Sequence, residues 1–266
     1  MLIFAPANIK TKKLYKVDGL SRWLKQKFKK RKAKVYSFSL LSGVDCPFAK
    51  DCKAKAVETD KGSRTIEDGP HTKFRCFSAT QEMQYDAVYF NRLHNHNLIH
   101  ECKDEWEMAD LIGAAIPDDA GVVRIHIAGD FFNHAYFRAW MIVASRFPQV
   151  LFYAYTKSLQ YWVRNRDYLP DNFVLTASRG GRSDQLIKKY NLRSARVVFS
   201  KAEALKYGLE IDDDDSTASD PTKRDKDFAL LIHGTQPAGS KASKALMKIL
   251  KANKIVKQLT TAEATV

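Results

Sequence analysis

Four cysteines in 266 residues are far too few for a disulfide scaffold. Carboxylates are nearly missing from both ends of the chain, with Asp18 alone among residues 1–35 and Glu263 alone among residues 237–266. No apolar run approaches the roughly 18 to 20 residues that a membrane span requires. The N-terminal MLIFAPANIKTKK has only a short apolar start before lysines arrive, which is not the apolar centre of a signal peptide. These absences exclude an integral membrane protein and point to a reducing, cytoplasmic setting, where cysteines serve as free thiols or as ligands.

The ends carry positive charge instead. Residues 1–35 hold twelve Lys/Arg and residues 237–266 hold six Lys, while the 201 residues between them are nearly balanced at 26 basic and 28 acidic side chains. Helical periodicity runs through both ends: Leu20, Trp23, Leu24 and Phe28 recur at three- and four-residue spacing, as do Leu246, Ile249, Leu250 and Val256. The chain therefore divides into a basic amphipathic arm over 1–34, one α/β domain over 35–238 and a basic C-terminal helix over 239–266. Arms of this kind suit a polyanion, nucleic acid first, with Lys29, Lys30, Arg31 and Lys32 as phosphate contacts. The same lysines would also serve solubility alone.

Between the arms, β-branched and aromatic runs alternate with helical patterns. Strands are expected at 35–41, 122–127, 150–155, 173–177, 195–199 and 228–232, and helices at 79–101, 105–115, 133–147, 159–167, 183–190 and 202–207. Alternation of this sort predicts a mostly parallel six-stranded sheet, open or curled into a partial barrel. In such folds the site collects where the strands end. The tips here are polar or glycine-rich, and Asp130, Lys157, Arg179 and His233 are the candidate catalytic residues. Arg179 and Arg182 in the SRGGR loop are also candidates for gripping a nucleic-acid backbone.

Cys46 and Cys52 lie in the polar loop CPFAKDC, Cys76 follows in FRCFSA and Cys102 in HECKD. Zinc sites usually pair ligands at C-x(2 to 4)-C, a spacing this chain lacks. An iron–sulfur cubane accepts ligands from scattered loops. A 4Fe-4S cluster is thus ranked before zinc, and zinc before free thiols. His71, near Cys76, is a candidate partner or fourth ligand. His126 and His233, at strand ends, are candidates for the mouth. His94, His96 and His100 lack an intervening metalloprotease glutamate and read as ordinary helix residues. The run Asp212 to Asp215 reads as a solvated loop.

The stretches SGVDCPFAKDC, DGPHTKFRCFSA, VVRIHIAGDFFNHAYFRAW, VLFYAYTKSL, PDNFVLTASRGG, RSARVVFS and DFALLIHGTQPAGS together resemble the phage and mobile-element family named for gene product eighty-eight, over about residues 35 to 240. That resemblance implies a bacteriophage protein working in the host-cell cytoplasm. The cysteine loop after the first strand and the Ala128-Gly129-Asp130 turn after the second also resemble the partial TIM barrel of radical S-adenosylmethionine enzymes. There, three cysteines hold a 4Fe-4S cluster whose fourth iron takes the amino and carboxylate groups of S-adenosylmethionine. The resemblance implies Cys46, Cys52 and Cys76 as cluster ligands. The sequence departs from the C-x3-C-x2-C pattern of those enzymes in its 23-residue second gap. Cys102 is the leading candidate for the fourth ligand, which closes the cluster and makes it structural or redox-active, the first reading; the alternative without Cys102 leaves an iron open for enzyme chemistry.

Overall fold

Parallel strands covered on both faces appear in sequence as nearly unbroken apolar runs, and the six runs above all form strands in the computed structural model, which describes residues 1–8, 11–16, 18–28 and 33–263. In chain order the strands are β1 (Ala5–Pro6), β2 (Lys34–Phe38), β3 (Ala54–Glu58), β4 (Arg64–Asp68), β5 (Ala120–Ile125), β6 (Leu151–Thr156), β7 (Phe173–Ser178), β8 (Ser194–Val198) and β9 (Phe228–Leu231). The helices are α1 (Asp18–Phe28), α2 (Phe77–Gln84), α3 (Asp86–Glu101), α4 (Glu105–Gly113), α5 (His134–Arg146), α6 (Leu159–Asn165), α7 (Gln185–Lys189), α8 (Lys201–Lys206), α9 (Ser216–Ser219) and α10 (Lys241–Glu263).

Seven strands form the main sheet in the order β1-β2-β5-β6-β7-β8-β9. Only the short β1 is antiparallel; each later strand joins the previous one in parallel. β1 adds a strand to the expected six, and the sheet has two edges rather than closing into a barrel. β3 and β4 form a separate hairpin in the segment after the cysteine loop. Its apolar content is too low to announce strands, but the turn is written in Thr59 to Ser63, where Gly62 has φ +74° and Thr59 N–H donates to the Ser63 carbonyl at 2.8 Å. The helix expected over 79–101 breaks at Tyr85, whose extended backbone (φ −125°, ψ 108°) separates α2 from α3.

Side chains alternate across the sheet with the period of two that strands impose. Phe38, Val123, Ile125, Phe152, Phe173 and Leu175 face one way and bury Phe137 and Trp140 of α5 and Met108 of α4. Val122, Leu151, Tyr153, Val174, Ala195 and Phe228 face the other way, covered by Leu14, by Leu20 and Leu24 of α1 and by Ala218 of α9. The apolar stripe of the basic N-terminal segment is therefore core, with Lys25 and Lys27 exposed. In α10 Ala242 is buried, whereas Met247 and Leu250 are exposed. Lys29, Lys30, Arg31 and Lys32 lie outside the described residues.

Candidate functional site

Because β2 and β5 to β9 run in parallel, their following loops meet at one edge, and this edge organises the cysteine loop. Asp130 N–H, after β5, donates to the Asp45 carbonyl at 2.9 Å. Lys50 and Asp51 N–H both donate to the Gly180 carbonyl after β7, at 3.2 and 2.9 Å, and Arg182 N–H donates to the Phe48 carbonyl at 2.9 Å. Gly180 is required here: its φ is +96°, and a Cβ would come within 2.9 Å of the Asp51 side chain. The loop after β9 fixes the Cys76 segment. Gln236 accepts from Arg75 N–H at 2.7 Å and donates to the Arg75 carbonyl at 3.1 Å. The His233 ring lies 4.5 Å from the Phe77 ring.

Cys46, Cys52 and Cys76 are consequently brought within electrostatic reach of one another, each half-buried. Burial pushes the Cys46 thiol well above its usual range, and Asp130, Cys76 and Cys52 add to the effect. Cys76 is pushed up to about 11 by burial and by Cys52, although the first α2 amides, Ser78 and Ala79, oppose it. Beside them Lys157 is buried. Burial disfavours its charge, but Cys52, Asp130, Cys76 and Cys46 outweigh that and raise its pKa. Its ammonium donates to Ser178 Oγ at 2.6 Å. Asp130 is fixed by donors from Thr156 Oγ1 at 2.6 Å and from the Lys157 and Phe131 amides, both at 2.8 Å, while burial raises its pKa. Thiols that raise one another's pKa in this way lose their protons readily only to a cation that takes their place, so metal binding here would release protons.

The three sulfurs do not belong to any set whose ligand atoms all lie within 4.8 Å; among the described residues that holds for Asp45, His96 and His100. A tetrahedral zinc with bonds of about 2.3 Å would hold its sulfurs about 3.8 Å apart, closer than the three thiols lie as a set. Cys102 is placed apart from the other three. It ends α3, its thiol donates to the Leu98 carbonyl at 3.3 Å, and its pKa is raised by burial and then by Glu107, Glu101 and Asp104. His71 is exposed in the turn after β4.

Arg179 sits on the loop after β7, donating from Nε to Ser194 Oγ at 3.0 Å with its guanidinium 3.9 Å from Asp227. It lines a polar cleft with Lys188, Arg193 and Arg224. Arg182 is exposed. Two sequence expectations are corrected. His126 is no mouth residue: it is 4% exposed, touches Tyr136 Oη at 3.0 Å through Nε2, and is pushed by burial down to about 3. The acidic run is not a solvated loop, because Asp215 accepts from Arg124 at 2.5 Å, Tyr153 at 2.8 Å and Tyr155 at 3.0 Å, and Asp212 accepts from the Thr217 and Ala218 amides. Only Asp213 of the four is exposed.

The family model of Gene product 88 matches residues 8–254. The chain belongs to the gene product 88 family. The gene product 88 match extends the motif resemblance into both basic ends, so these belong to the family's pattern rather than flanking it. No curated protein and no solved structure matches the chain. No helix among the described residues of this gene product 88 protein is long and apolar enough to cross a membrane.

Proposed function

We propose that this gene product 88 protein holds a 4Fe-4S cluster on Cys46, Cys52 and Cys76, with one iron left without a cysteine and facing a cationic mouth. The observation that carries this reading is the convergence of three thiols from two separated segments, with Cys102 elsewhere. Bound there, such a cluster supplies one-electron chemistry at a potential tuned by nearby charge and hydrogen bonds. The chain's own residues fit that role. Lys157 offers a buried positive charge beside three thiolates, Asp130 ties the loops after β2, β5 and β6 together, and the Gly180 carbonyl holds the cysteine loop down.

An iron without a cysteine is open to a ligand with amino and carboxylate groups, S-adenosylmethionine being the candidate that the barrel resemblance implies, and this favours the enzymatic form over a closed electron carrier. The cleft beside Arg179 offers Lys188 and Arg224 as further cations, with Asp225 and Asp227 among them, and the basic ends add sequence-independent phosphate contacts. A nucleic acid is the partner that suits both.

Anaerobic reconstitution with iron and sulfide tests the reading. Brown protein with broad visible absorption is expected, lost in Cys46→Ser, Cys52→Ser and Cys76→Ser and retained in Cys102→Ser. Colourless protein with stoichiometric zinc would replace the cluster by a zinc-stapled binding module, and dependence on Cys102 would restore a closed cluster.

A further inference from the structure

A second donor set lies beside the cysteine loop and uses none of its thiols. His96 and His100 are four residues apart on α3, so their rings share one face; the ring centroids are 4.1 Å apart. The loop after β2 brings Asp45 to that face. His96 Nδ1 lies 3.0 and 2.9 Å from the two Asp45 carboxylate oxygens, and His100 Nε2 lies 2.8 Å from Oδ1. We infer that Asp45, His96 and His100 form a binding site for one divalent transition-metal ion.

The surroundings support a ligand rather than a chance contact. Asp45 has a side chain only 1% exposed, and among the described residues its ion-pair partners are the two imidazoles, with no Lys or Arg. A buried carboxylate with no permanently charged cation beside it is costly, and a divalent ion supplies such a charge. Leu41 N–H donates to Asp45 Oδ2 at 2.9 Å and Phe132 stacks on the His100 ring at 4.1 Å and 18°, which orient two of the three ligands. Bonds of about 2.0 to 2.2 Å in a tetrahedral site put ligand atoms about 3.3 to 3.5 Å apart. Asp45 and each imidazole would need to separate by about half an ångström. Two imidazoles and one carboxylate suit zinc, iron(II), cobalt or nickel, whereas magnesium and calcium prefer oxygen alone. The His96 and His100 side chains are 20% and 38% exposed, so water or a substrate atom reaches the remaining positions. Asp45 directly precedes Cys46, so ion and cysteine centre would share one loop.

Anaerobic titration of the full chain with Co²⁺ tests this independently of any cluster. One equivalent should bind with visible d–d absorption and without a thiolate-to-cobalt charge-transfer band, both in the Cys52→Ser/Cys76→Ser double variant and as a separate phase in the wild type. His96→Gln and His100→Gln should each weaken that phase at least ~10-fold. In the wild type, where folding is not in question, Zn²⁺ should protect His96 and His100, but not the exposed His71, from diethyl pyrocarbonate. Cobalt bound solely with the thiolate band, affinity unchanged in both histidine variants, or no selective protection would overturn the site while leaving the cysteine reading untouched.

Discussion

Two clusters of ionisable side chains stand on the same sheet, and they are completed differently. On the face covered by α1 and α9, Arg124, Tyr153 and Tyr155 all donate to Asp215, although the buried Arg124 Nε has no hydrogen-bond partner. Burial works against the Arg124 charge, and Asp215 together with Tyr153 and Tyr155 outweighs it, keeping its pKa above the usual arginine value. Arg193 there spends its donors on Thr176 Oγ1 and on main-chain carbonyls, among them those of Leu175 and Ala218. At the carboxyl edge, by contrast, Cys46, Cys52, Cys76 and Asp130 are potential anions gathered around the buried ammonium of Lys157. The first cluster pairs charge with opposite charge and closes a core. The second concentrates one sign of charge on half-open ligands, the condition under which an added cation is favoured.

The sharpest way to break the contrast is to unpair the closed cluster. Asp215→Ala strands the buried Arg124 guanidinium and should cost about 3 to 5 kcal/mol in urea unfolding, whereas Cys52→Ser in the metal-free protein should cost well under half of that. Equal losses would mean that the two clusters do the same structural work.

Next in size is a pH effect from a group that belongs to neither cluster. The His126 pKa is pushed down to about 3 in the fold from an unfolded value near 6.5. A base held neutral by burial contributes stability that is complete above pH ~6.5 and lost as pH falls toward 3, at about 1.4 kcal/mol per unit. The wild type should therefore lose a few kcal/mol over that window, and His126→Asn, which tolerates the left-handed backbone at φ 68°, should flatten the curve. Parallel curves in thermal melts across this range would assign the acid sensitivity elsewhere.

A smaller change is expected at the open cluster. Gly180→Ala forces a side chain against Asp51 in a left-handed conformation, and should cost about 1 to 2 kcal/mol. Its local signature is faster proteolysis after Lys50 and Lys53, together with lower iron retention. Unaltered cleavage would show that the loop is held by something other than the Gly180 carbonyl.

The smallest effect separates charge from core in the N-terminal helix. Lys25→Gln with Lys27→Gln should leave stability within about 0.5 kcal/mol and reduce the salt slope of nucleic-acid binding by up to about two. Leu24→Ala, which opens the face packed on the sheet, should do the reverse: about 2 kcal/mol or more of stability and no change in slope.

Much of this architecture was legible from the chain alone. Doubly covered parallel strands must be apolar throughout, so 122–127, 150–155 and 173–177 announce themselves, and polar tips follow each strand at the edge where the cysteine loop is held. Helices α4 to α8 follow from periodicity and local caps such as Asp104 and Ser200. What the sequence could not determine depends on partners far along the chain. The solvated reading of Asp212 to Asp215 failed because Arg124 lies 91 residues earlier, and His126 left the mouth because Tyr136 and the rings around it close over that strand end. Cys102 looks equivalent to the other cysteines in sequence, yet α3 carries it away from the edge where Cys46, Cys52 and Cys76 meet. The spacing of His96 and His100 was visible, but not the Asp45 between them. Local sequence determines which segments become strands, helices and tips, because hydrophobic period and capping act over a few residues. Which tips touch is decided by crossovers that bring distant segments to one sheet edge, and only the tertiary structure contains that information.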